Sequence, residues 1–105
     1  MAMLKHKWKE VMPREVAGKL KKGEPLHIID VREAYEWRSG HIPGAKHIPL
    51  AELPERLREL SPKQENILVC MSGGRSTRAC EYLSQLGYKV VNMKGGMSAW
   101  TGDVV

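Results

Sequence analysis

The chain has 105 residues and 11.9 kDa, 42% hydrophobic and 28% charged, a length with room for one folded domain and no second. A domain of this size buries roughly 65% of the surface its open chain exposes, so an ordinary core holds it together and its two cysteines are not a disulfide framework. The whole net charge of +5 resides in residues 1–23, where Lys5, Lys7, Lys9, Arg14, Lys19, Lys21 and Lys22 face only Glu10 and Glu15. No stacking aromatics or base-reading motif accompany these charges, which reads as a solvated helix face or a dock for an acidic partner protein and against nucleic acid. No apolar run approaches the ~20 residues that cross a bilayer, and residues 1–10 lack the apolar stretch of a signal peptide. The expected compartment is a reducing cytoplasm.

In chain order, Trp8 to Val11 is a weak strand candidate. Pro13 suits a first helical turn, Val16 and Leu20 share a face, and Gly23 supplies a stop. Leu26 to Val31 is a β-like run, followed by a short helical turn across Glu33 to Arg38 that ends at Gly40. A brief strand is predicted over Ala45 to Ile48. Leu53, Leu57 and Leu60 form an apolar helical stripe before Pro62. Asn66 to Val69 is another β-like run. Ala79, Tyr82, Leu83 and Leu86 then repeat at helical spacing, with Gly87 as a left-handed stop, and Lys89 to Asn92 closes the set as a strand. Strands alternating with helices predict a parallel sheet covered on both faces, a three-layer α/β/α domain spanning residues 1–105. Ligands of such sheets sit beyond the carboxyl ends of the strands, so chemistry is sought after Val31 and after Val69.

The segment after Val69 reads Cys70-Met71-Ser72-Gly73-Gly74-Arg75-Ser76-Thr77, and a helix opens behind it. Two successive glycines let the backbone curl so that consecutive N–H groups aim at one point, where the unpaired amides and partial positive charge of the helix start also converge. A sulfur at that point is favoured as the thiolate, a strong nucleophile at neutral pH, and Arg75 adds a permanent positive charge. Met71, Ser72, Gly73 and Gly74 are expected to contribute mainly backbone N–H groups, and Ser72 and Ser76 complete the loop. A nucleotide phosphate loop does not fit, because the Gly-Lys-Ser/Thr ending is missing.

Four segments together resemble the rhodanese family of single-domain sulfurtransferases. Asp30-Val31-Arg32-Glu33 is similar to its DVRE strand end, and Glu36 to Ala45 to its E-(Y/W)-x-x-GHIPGA stretch. Cys70 to Arg75 is similar to the active loop C-x4-R, and Lys94-Gly95-Gly96-Met97-Ser98-Ala99-Trp100 to the closing KGG-x-x-AW. The resemblance implies a five-stranded parallel sheet of order 1-5-4-2-3 and sulfane-sulfur transfer through a cysteine persulfide. It further implies that a loop of cysteine, four residues and arginine is sized for a sulfur on the cysteine. The related phosphatases and arsenate reductases carry one residue more, and mercaptopyruvate enzymes end the loop without arginine. Thiosulfate, or a similar small sulfur anion, is therefore the expected donor, and cyanide, a small thiol or a protein thiol the acceptor.

Asp30 and Arg32, at the end of a central strand, are expected to support the loop without acting as acid or base, since a preformed thiolate needs none. Cys80 is expected to pack in the core, His41 to hold a corner, Trp37 to edge the pocket and Trp100 to close the core. Met12, Met93 and Met97 read as packing residues. The histidines have no zinc-ligand spacing and no C-x-x-C is present, so neither metal nor cofactor is expected. The competing reading is a persulfide-carrying or redox-sensing module whose business is protein recognition.

Overall fold

The computed structural model describes residues 8–105; of the basic segment, Lys5 and Lys7 lie outside the described residues. Five strands build one sheet: β1 (Lys9–Val11), β2 (His27–Asp30), β3 (Lys46–His47), β4 (Asn66–Val69) and β5 (Val90–Met93). All neighbours run parallel, in the order β1-β5-β4-β2-β3. Three α-helices accompany them, α1 (Pro13–Lys21), α2 (Ala34–Arg38) and α3 (Gly74–Gln85).

The continuous apolar runs have a direct structural cause. Side chains alternate across a strand, so a strand covered on both faces is apolar along most of its length, here with buried Asp30, Asn66 and Asn92 as the polar exceptions. In β4, Leu68 belongs to one buried cluster with Ile29, Val31, Ile48, Leu53, Ala79, Cys80 and Leu83, while Ile67 and Val69 belong to a second with Val16, Ile28, Ile42, Val91 and Met93. The first cluster packs α3 on the sheet and the second packs α1. Three layers follow, helix on sheet on helix, as the alternation predicts.

Local details differ from the sequence reading in four places. The last strand is Val90–Met93, one residue later than Lys89 to Asn92. The Leu53, Leu57, Leu60 stripe forms two short 3₁₀ segments, Leu50–Glu55 and Leu57–Glu59, because Pro54 inside the first has no N–H to donate to an α-helical ladder. Leu86 lies just past the end of α3 and is half exposed. Met12 is 37% exposed and opens α1, its N–H donating to the Glu15 carboxylate at 2.8 Å. Among the described residues no helix is long and apolar enough to cross a membrane.

Candidate active site

β4 delivers Cys70 to the carboxyl edge of the sheet, and α3 begins only four residues later. That short passage requires Gly73 to adopt a φ of 114°, a region closed to side-chain-bearing residues. The turn aims the Gly73 N–H at the Cys70 Sγ, 3.0 Å away. The Ser76 hydroxyl lies 3.4 Å from the same sulfur, and the Gly73 carbonyl is held from behind by Thr77 Oγ1 at 2.7 Å and Ser76 Oγ at 3.2 Å. Cys70 itself is 1% exposed, beneath the loop. Burial pushes its thiol up, but the Ser76 hydroxyl and the backbone N–H groups of Ser76, Gly73 and Ser72 outweigh that cost and hold it below its ordinary value.

Of the other loop residues, Met71 faces outward with its carbonyl taken by the Ser98 N–H at 2.8 Å, and Gly74 opens α3. The Cys70 carbonyl accepts from Met97 N–H, also at 2.8 Å. Both donors belong to the 3₁₀ turn Gly96–Ala99 after β5. A Cβ on Gly96 would run into the Cys70 and Met71 carbonyls, so the Gly95-Gly96 pair exists to let one backbone brace another. This places the Lys94 to Trp100 segment directly against the candidate loop. Cys80 stands in the core of α3, where burial pushes its thiol up to about 12, an inert packing residue as the sequence predicts.

Arg75, in the first turn of α3, does not lie open over the sulfur. Its Nη1 and Nη2 donate to the two carboxylate oxygens of Glu36 at 2.7 and 2.8 Å. The pair is partly buried, and the Arg75 hydrogen bonds hold the Glu36 carboxyl at about 2. Glu36 is the residue that loop-centred reading misses; its signal was its place at the head of the E-(Y/W)-x-x-GHIPGA stretch. Its Oε1 also accepts the Glu33 N–H at 2.9 Å, closing the first turn of α2. The neighbouring Trp37 stacks on His41 with centroids 3.4 Å apart and on His47 with centroids 4.8 Å apart, both nearly parallel. Two imidazoles cannot occupy one indole face at those separations, so the rings form a sandwich with Trp37 in the middle. Trp37 thus clamps α2.

Asp30 and Arg32 pair with each other instead of reaching the loop. The Arg32 Nε and Nη2 donate to the Asp30 carboxylate at 2.8 to 3.0 Å, and both side chains are buried. Arg32 Nη2 also donates to the Gly40 carbonyl at 2.8 Å, and His47 Nε2 lies 2.8 Å from the Arg32 carbonyl. The pair ties the end of β2 to the chain leaving α2. Among the described residues no cluster of His, Cys, Asp and Glu is arranged to hold a metal ion.

Residues 12–103 match the model of the rhodanese-like domain. YtwF of Bacillus subtilis is 41% identical over 95 residues, covering 90% of this chain and 92% of that protein. The thiosulfate sulfurtransferase GlpE of Pseudomonas putida is 31% identical over 90 residues, covering 85% and 82% respectively. The crystal structure of a rhodanese-like domain protein from Staphylococcus aureus superposes with a TM-score of 0.85 at 37% identity, covering 90% of this chain and 92% of that one. With a family model over residues 12–103 and relatives this similar over most of their length, the chain belongs to the rhodanese-like sulfurtransferase family.

Proposed function

We propose that residues 1–105 act as one cytoplasmic domain that moves sulfane sulfur from thiosulfate, or a similar small anion, through a persulfide on Cys70 to cyanide or a thiol. The observation that carries this reading is the ring of N–H groups and the Ser76 hydroxyl around a thiol held below its ordinary pKa. The Cys70 thiolate attacks the outer sulfur of thiosulfate; the sulfur–sulfur bond of the donor breaks and sulfite departs with the electron pair. The charge now on the outer sulfur of Cys70 faces the same donors. An acceptor thiolate or cyanide attacks that sulfur, and the Cys70 thiolate leaves. The two half-reactions give ping-pong kinetics and call on no cofactor.

Incubation with thiosulfate should add about 32 Da to the protein, and cyanide should remove it; a wild-type protein that gains no mass from thiosulfate or from a small persulfide ends this reading. Arg75 is the cation within the loop that can meet the incoming dianion and the departing sulfite. Arg75→Ala removes that cation and leaves Glu36 unpaired beside the approaching donor. Its kcat/KM for thiosulfate is expected to fall by about 2–4 kcal/mol, the usual worth of one electrostatic anchor. An unchanged value takes Arg75 out of the mechanism.

A second reading, a persulfide carrier that serves a protein acceptor, draws on the surface beside α1. A groove of about 550 Å³ runs between α1 and residues 100–103, lined by Arg14, Lys21 and Asp103 together with Leu20, Pro43 and Trp100, two cations to one carboxylate. Such a surface suits an acidic partner. Sulfur delivery to that partner should weaken as salt rises and when Lys19, Lys21 and Lys22 are reversed to Glu; delivery indifferent to both sinks this version.

A further inference from the structure

The bidentate contact between Glu36 and Arg75 bears on which donors the loop accepts. Arg75 is the only cation within the Cys70-to-Ser76 loop, and Glu36 partly offsets its charge at contact distance. Glu36 is held there independently of Arg75: it closes the first turn of α2 through the Glu33 N–H, and the His41–Trp37–His47 stack fixes the helix that bears it. The end-on geometry occupies one N–H on each terminal nitrogen, and the Nε–H takes no part in it. An arriving anion therefore meets Arg75 as a cation whose pull is partly offset by Glu36.

We propose that Glu36 is a specificity-determining residue that restrains Arg75, so that the Cys70 loop discriminates against doubly charged donors such as thiosulfate relative to persulfides of uncharged small thiols, whose only charge is that of the persulfide group itself. This rests on the sulfur-transfer reading. With a persulfide donor the Cys70 thiolate attacks the outer sulfur, the donor's sulfur–sulfur bond breaks, the donor thiolate leaves with the electron pair, and the proton stays on the transferred sulfur. With thiosulfate the leaving group is sulfite, and two negative charges must enter beside the thiolate. Coulomb repulsion separates the two cases, and its size is set by how much of the Arg75 charge the donor can feel.

The test compares loading of Cys70 from thiosulfate and from the persulfide of 2-mercaptoethanol, an otherwise uncharged thiol, in wild type, Glu36→Gln and Glu36→Asp. Glutamine keeps an acceptor for Arg75 and for the Glu33 N–H but removes the charge. The ratio of kcat/KM for thiosulfate to kcat/KM for the persulfide should rise about tenfold in Glu36→Gln, through a lower KM for thiosulfate, as for removal of one nearby charge. Glu36→Asp keeps the charge and should hold the ratio within about threefold of wild type. Because the readout is a ratio within one protein sample, partial unfolding of a variant cancels. A ratio that is unchanged or lower in Glu36→Gln, or that rises equally in Glu36→Asp, overturns the proposal while sulfur transfer stands. Failure of wild type to load from either donor overturns both.

Discussion

Cys70→Ser is expected to gain no mass from thiosulfate and to lose all turnover, whereas wild type gains a cyanide-labile sulfur. The serine hydroxyl does not ionise near neutrality, so the donors that favour a thiolate have nothing to stabilise. The pH dependence carries the same argument with a defined sign. The hydrogen bonds to the sulfur hold the Cys70 thiol below its ordinary value, so the reactive form is present at neutral pH and is lost as pH falls through the lowered pKa. Alkylation of wild type by iodoacetamide should therefore reach half its maximal rate below the value of about 8.5 seen in free cysteine. Cys80, pushed up to about 12 by burial, contributes nothing in that range, and the Cys70→Ser variant should stay unlabelled there. A wild-type midpoint above the free value, or persistent sulfur uptake in the variant, removes Cys70 as the carrier.

Arg32→Met is expected to destabilise the fold by about 3–5 kcal/mol, because it strands the Asp30 carboxylate inside the protein without its cation. Asp30 and Arg32 are 1% and 2% exposed, and Arg32 fills both carboxylate oxygens and the Gly40 carbonyl. For a domain of this length the loss corresponds to a fall in Tm of roughly 15–30 °C. The double variant Asp30→Asn with Arg32→Met no longer buries a lone charge, and its amide oxygen still accepts the Arg32 main-chain N–H that Asp30 holds at 3.0 Å. It should recover at least half of the lost stability. A single variant within a few degrees of wild type would mean that water reaches the carboxylate and the pair braces nothing. Persulfide formation by the folded fraction should be preserved in both, since neither side chain touches the sulfur; this separates bracing of the strand end from chemistry.

Local rules made much of this molecule legible. The continuous apolar runs reported strands buried on two faces, and the alternation within Ile67, Leu68 and Val69 divides cleanly between the two clusters. The glycine pair before a helix start reported a convergent set of amides, and the Gly73 N–H and the sulfur do meet. These inferences work because strand pleat, glycine dihedrals and helix termini act over a few residues. Boundaries were less legible. Pro54 turned an apolar stripe with helical spacing into 3₁₀ segments, since hydrophobic period describes which face is buried and not which hydrogen-bond ladder forms.

What the sequence by itself determined, then, is the alternation of elements, the two-faced sheet and the identity of the sulfur with the amides around it. The tertiary structure alone decided what stands opposite those groups. Glu36 and Arg75 are 39 positions apart and meet because β2 and β4 are neighbours, which brings the helices that follow them to one edge. Gly96 reaches the Cys70 carbonyl because β5 lies beside β4. Such pairings depend on which strands adjoin and how the crossovers pack, free energies spread over the whole core, and no window of sequence a few residues wide contains them.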